Sequence, residues 1–196
     1  RLAEFEFTSE EPFRQKLWLL QRDGLPVEEL ELVVLNVMDD DGWKQFSALA
    51  AAAFPQQFPK VEGNAADLTQ EKRMLKESKW AMAYFAPRGA GPTSFADNTE
   101  RKRIQMLRRF QLLGETLEGG QVFDIRQAAA ALRTVPGVAK VPLWLQGQKE
   151  MAANSLVASL FIPDVKRLDL HNLPQSLRYG PIYLNVLRHA DLPHLA

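Results

Sequence analysis

The 196-residue chain contains no cysteine. That excludes disulfide scaffolds, thiolate nucleophiles and cysteine-ligated zinc. It says nothing of compartment, because a chain of this length buries a core large enough to need no staples. Nor is there an excess of charge of either sign: 24 Lys and Arg balance 24 Asp and Glu. No long-range field therefore draws the chain to nucleic acid or to an anionic membrane, and neither is an expected partner. Long apolar runs are also missing. The richest, residues 46–54, falls far short of the roughly 20 residues of a membrane span, and no signal peptide opens the chain. Arg1 stands where an initiator Met would, so the expectation is a mature product or a piece of something longer. With no internal repeat, low-complexity linker or charge block, residues 1–196 are expected to form a single domain.

What is present is an alternation of two periodicities. Segments 5–8 and 16–21 read as strands, with turn-prone residues 9–12 between them and Asp23-Gly24 behind, which predicts an antiparallel hairpin. Segment 31–38 is a nearly continuous β-branched and apolar run, the pattern of a parallel strand covered on both faces. An alanine-rich helix over 43–54, a helix over 69–79 and a strand over 80–86 follow. Asp97 or Asn98 is expected to cap a helix reaching Leu113, with Ile104, Leu107 and Phe110 on one face. The remainder reads as helix 121–133, strand 141–146, helix 151–161, strand 165–170 and a last helix 182–188. Strands alternating with helices imply crossover connections. The expected fold is α/β: a three-layer α/β/α sandwich whose mostly parallel sheet is opened by an antiparallel hairpin.

Ligands of open α/β sheets bind beyond the carboxyl ends of the strands, which directs attention to the residues after Met38, Ala86, Gln146 and Leu170. Asp39, Asp40 and Asp41 precede Gly42, but contiguous Asp lack the spacing of a D-x-D-x-D-G cation loop. One of them is expected to cap the next helix, and no metal site is expected. Arg88-Gly89-Ala90-Gly91 could bring backbone N–H groups to a phosphate. It lacks both the Gly-Lys-Ser/Thr of a P-loop and the third glycine of G-x-G-x-x-G, so a tight turn with a structural arginine is the preferred reading. Arg101, Lys102, Arg103, Arg108 and Arg109 read as a solvated helix face.

The segment after Gln146 matters most. Strand, glycine, a short turn and an apolar small-residue helix form the outline of a nucleophile elbow, G-x-S-x-G. Here it is Gly147-Gln148-Lys149-Glu150-Met151: a lysine holds the nucleophile position and a methionine the last glycine position. Ser155, the nearest hydroxyl, lies well into the following helix, where it should pack or bond back to the preceding turn. Lys149 is read as an ordinary charged lysine. His171 is of the right type for a general base, but it follows the elbow strand by only one strand; with His189 and His194 it is read as structural. The candidate pocket comprises Asp41, Gly42, Trp43, Arg88, Gly89, Gly91, Gln148, Lys149 and His171. No cofactor is expected.

These same residues resemble the acetyl xylan esterase and dienelactone-hydrolase-like branch of the α/β-hydrolases. Residues 7–13 are similar to the family's T-S-E-P-G opening, and 34–42 to its oxyanion-loop strand and turn. Arg88-Gly89-Ala90-Gly91 is similar to R-G-x-G, and residues 113–117 with 122–126 to L-G-x-T-L…R-V-x-D-x-x-R-A. Residues 186–193 are similar to V-L-R-H-G-D-L-P. The resemblance runs through nearly the whole chain in order. It implies backbone roles for Gly42 with Trp43 at the oxyanion loop and Gly147 with Gln148 at the elbow. The family's serine is replaced by Lys149, and the strands carrying its Asp and His are expected beyond Ala196, so the fold is expected to be truncated at its C-terminal edge and no catalytic residue carries over. The resemblance also implies a carbohydrate ester as ligand class and a periplasmic or secreted location. The resulting expectation is a catalytically inactive accessory or interaction domain, partnered by another domain of the same polypeptide or by a second copy. The alternatives are part of an active carboxylic-ester hydrolase completed by other segments, and a phosphate- or anion-binding module at Arg88 to Gly91.

Overall fold

The computed structural model of the chain describes residues 1–95 and 99–195, and at 65–68 and 70 the backbone alone. Asp97 and Asn98 lie outside the described residues. The strands are β1 (Leu2–Glu10), β2 (Phe13–Gln21), β3 (Leu32–Val37), β4 (Trp80–Phe85), β5 (Leu143–Gln148) and β6 (Val165–His171). The helices are α1 (Asp40–Ala53), α2 (Ala65–Glu77), α3 (Glu100–Leu112), α4 (Leu117–Thr134) and α5 (Glu150–Ser159). The six strands form one mixed sheet in the order β1-β2-β4-β3-β5-β6. β2 pairs antiparallel with β1 and with β4, while β4, β3, β5 and β6 run parallel.

Alternation along the strands divides the core between two faces, as the pleat requires. Val33, Leu35, Ala83, Phe85, Leu143 and Leu145 face α4 and α5, packing on Ile125, Ala128, Leu132 and Met151. Trp18, Val34, Met82 and Tyr84 face α1 and α2, packing on Phe46, Ala50 and Leu75. The sheet is thus the middle of three layers. α3 lies outside them: none of its residues is buried, Ile104 is exposed, and Leu107 and Phe110 are only half-buried. Its five basic residues are exposed. No helix of the described residues is long and apolar enough to cross a membrane.

Among the elements that differ from the sequence reading, three show the physical reason. α1 begins inside the aspartate run, because Asp39 caps it, Oδ1 accepting from Gly42 N at 2.8 Å. α4 begins at Leu117, before a Gly119-Gly120 pair that disfavours helix. Thr116 caps this first turn, and Gly120 is needed there because a Cβ would sit 2.9 Å from Arg88 Cδ. The helix expected over 182–188 does not form. Asn185 is left-handed at φ 60°, ψ 1°, and only a 3-10 turn, Val186–Arg188, remains. This last segment is instead pinned by Asp191, which accepts from Ser176 Oγ and Leu177 N, and by Tyr183, whose hydroxyl donates to Asn154 Oδ1.

Candidate functional site

The turn from β5 into α5 has the backbone of a nucleophile elbow. Lys149 sits at φ 54°, ψ −124°, a sparsely populated conformation that costs on the order of 1–3 kcal/mol for a residue with a Cβ. It is held there from both sides. Lys149 N donates to His171 O at 2.9 Å, and Lys149 O accepts from Ala152 N at 3.1 Å. Gly147 admits the helix against the strand, since a Cβ at that position would lie 2.6 Å from Met151 O. The side chain at the apex is nevertheless a lysine, 56% exposed, with Nζ 3.4 Å from Asp41 Oδ2. Ser155 is fully buried and its Oγ has no partner among the described residues, so it packs rather than bonding back. Neither group is placed as an acyl-transfer nucleophile.

The acidic loop opposite does not gather its carboxylates. Asp39 caps α1, Asp40 Oδ1 accepts from Gly91 N at 2.8 Å, and Asp41 faces Lys44 and Lys149. The backbone roles expected for Gly42 and Trp43 are not available as drawn. Gly42 N donates to Asp39 Oδ1 and Trp43 N to Asp39 O, so both N–H groups belong to the first turn of α1. The Trp43 ring packs among Trp18, Phe46 and Phe58.

Arg88, the arginine of the anion-binding alternative, is engaged within the fold. Its side chain is buried. It makes a bidentate pair with Asp124, Nε to Oδ2 at 2.8 Å and Nη2 to Oδ1 at 2.6 Å, and Nη1 reaches Glu10 Oε1 at 2.5 Å. The guanidinium lies over the Phe13 ring at 4.1 Å. Burial alone would lower its pKa, but hydrogen bonds and charge from Asp124 and Glu10 outweigh that and raise it. Gly91 is tight against protein, a Cβ there falling 2.9 Å from Trp43 Cγ, and its N–H is already given to Asp40. Within the same loop Arg88 N donates to Asp124 Oδ2 and Ala90 N to Pro87 O.

A cavity of about 680 Å³ opens at the carboxyl ends of β3 and β5 on the α1 side of the sheet. This is where the strand order reverses, the place a ligand is expected in such sheets. Of the nine expected pocket residues, Gly42, Gln148 and His171 line it. Asp41, Trp43, Arg88, Gly89, Gly91 and Lys149 do not; Arg88 lines a separate hollow of about 320 Å³ with Glu10 and Tyr183. The floor comes from residues the sequence reading passed over. Tyr84, Asn36 and Gln146 stand side by side in register across β4, β3 and β5, with Glu71 of α2 and Gln45 of α1 above them. The available signal was a polar residue at the same offset in each of three otherwise apolar strands.

The fold and the elbow backbone are those of the α/β-hydrolase fold class. No family model and no curated protein sequence matches the chain; solved structures do. A Bacteroides fragilis protein assigned as an acetyl xylan esterase superposes with TM-score 0.63 at 16% identity, covering 85% of this chain and 43% of that one. Acetyl xylan esterase 1 of Thermoanaerobacterium sp. gives 0.52 at 14%, covering 85% and 46%. A Pyrococcus horikoshii acylaminoacyl peptidase gives 0.55 at 14%, covering 90% and 24%. At such identities the likeness concerns the fold, and the chain spans less than half the length of each of these three.

Proposed function

We propose that this chain is a non-catalytic α/β-hydrolase-fold unit, an accessory or interaction domain of a larger protein whose role is binding rather than ester hydrolysis. The observation that carries the reading is the apex of the elbow: the backbone is held in the strained nucleophile conformation, but the side chain it presents is a lysine turned to Asp41. An oxyanion-stabilising turn without a nucleophile has no tetrahedral intermediate to stabilise. The acetyl xylan esterase neighbours suggest a carbohydrate ester as one ligand to try.

The retained elbow geometry favours one second reading, an ester hydrolase completed by groups from other segments. Hydrolysis of p-nitrophenyl acetate by the wild-type chain and by Lys149→Ser separates the two. The expected result is no turnover by the wild type above a heat-denatured control. Turnover that a serine-directed phosphonate blocks would sink the non-catalytic reading. Activity appearing only in Lys149→Ser supports an elbow intact in all but its nucleophile.

A further inference from the structure

The cavity floor holds two polar groups that the fold leaves unsatisfied. Tyr84 is more than nine-tenths buried, yet its hydroxyl has no hydrogen-bond partner among the described residues, and the same is true of Glu71 Oε2. Both line the cavity. Leaving such groups unpaired is costly, and an unpaired buried polar atom in a native fold calls for an explanation. The Tyr84 ring cannot swing away, being stacked on Phe46 at 4.3 Å and 23°. The lining contains the carboxylates of Asp39 and Glu71, the amides of Asn36, Gln45, Gln146, Gln148 and Asn172, the His171 imidazole at its rim, and no lysine or arginine. Such a wall repels anions. It also offers a sugar ring no exposed stacking platform, since Phe46 is itself buried beneath Tyr84.

We infer that this cavity is a binding site for a compact organic ammonium ion, whose N–H groups donate to Glu71 Oε2 and to the Tyr84 hydroxyl while the neighbouring amides take its polar substituents. Burial holds the Glu71 carboxyl above its ordinary range, as expected of a carboxylate short of a cationic partner. The inference deepens the binding role proposed above, but it rests on the cavity floor and not on the elbow. A chain that hydrolyses esters yet binds ammonium, or is silent and binds none, tells the two apart.

The test is an NMR titration of the chain at about pH 8, where a primary amine is still protonated, with n-propylammonium as probe. Isosteric 1-propanol, tetramethylammonium and xylose serve as comparators. Saturable shifts around Phe46, Tyr84 and Gln146 with propylammonium, weaker by about 10-fold or more in Tyr84→Phe and in Glu71→Gln, are expected. Both substitutions keep the packing volume, and Tyr84→Phe should raise the thermal midpoint of the free protein while removing the upshift given by the ligand. No saturable binding, equal response to 1-propanol, preference for xylose, or binding undiminished in both variants would each overturn the assignment. Tetramethylammonium binding as well as propylammonium would overturn it too, because that ion has no N–H to donate.

Discussion

Two carboxyl groups lie on opposite faces of the same sheet, and the fold treats their buried oxygens differently. Asp124, on α4, is fully buried and accepts from Arg88 Nε, Nη2 and backbone N and from Gln15 Nε2. Glu71, on α2, keeps an oxygen with no partner at all among the described residues. The first cluster ties β1, the loop after β4 and α4 into one unit and leaves nothing for a ligand to do. The second borders an open cavity and leaves a ligand something to complete. Burial of a charged group therefore does not mark a site by itself; what marks one is burial without a partner.

The largest effect should come from breaking the closed cluster. Asp124→Ala strands the Arg88 guanidinium in the core, and loss of one partner of a buried pair typically costs about 3–5 kcal/mol. Chemical denaturation should show that loss, or no folded protein. Arg88→Met combined with Asp124→Leu should recover much of it, because no charge is then left alone. If Asp124→Ala unfolds no more readily than the wild type, the cluster is not the structural tie described here.

The elbow lies between these extremes, closed in its backbone and open in its side chain. Gly147→Ala drives a Cβ to 2.6 Å from the Met151 carbonyl oxygen, and relieving such overpacking should cost about 1–3 kcal/mol. Lys149→Gly should act in the opposite direction. It relieves the φ 54° strain and gives up only an exposed ion pair, a net stabilisation on the order of 1 kcal/mol once the freer unfolded chain is counted. Urea midpoints of the two variants measured together would show whether the strain is real, since a turn without strain predicts loss in both.

The same contrast explains what could be read from the residues. The hairpin, the parallel strands and the elbow were legible because each is local: alternation, β-branched runs and a glycine at a fixed offset. The Lys149 replacement was legible for the same reason. The Arg88–Asp124 pair joins positions on different elements, so a structural arginine could be read from the turn after β4 but its partner could not. Gly120 in the first turn of α4 lies where a Cβ would meet Arg88, a contact between distant positions, and Asn185, ordinary within an apolar stretch, broke the last helix by taking a left-handed conformation. The cavity floor was hidden because Tyr84, Asn36 and Gln146 converge only through strand register.

The smallest expected effect is also the one that probes the open face most directly. Burial raises the pKa of Glu71 above its ordinary 4.5, and likewise that of Glu118, where the Glu150 charge adds to it. A carboxyl whose folded pKa exceeds its unfolded value holds its proton more tightly in the native state. Its contribution is therefore fully present below about 4.5 and is lost as pH rises through the folded value. Asp191 works in the other sense, its pKa lowered by the hydrogen bonds from Ser176 and Leu177, so its contribution is lost on acidification. In Glu71→Gln with Glu118→Gln, stability measured by urea unfolding should decline less than that of the wild type as pH rises above about 4.5. Were propylammonium to fill the cavity, it should flatten the wild-type decline through Glu71 alone and leave the Glu118 share untouched, because Glu118 lies outside the cavity lining.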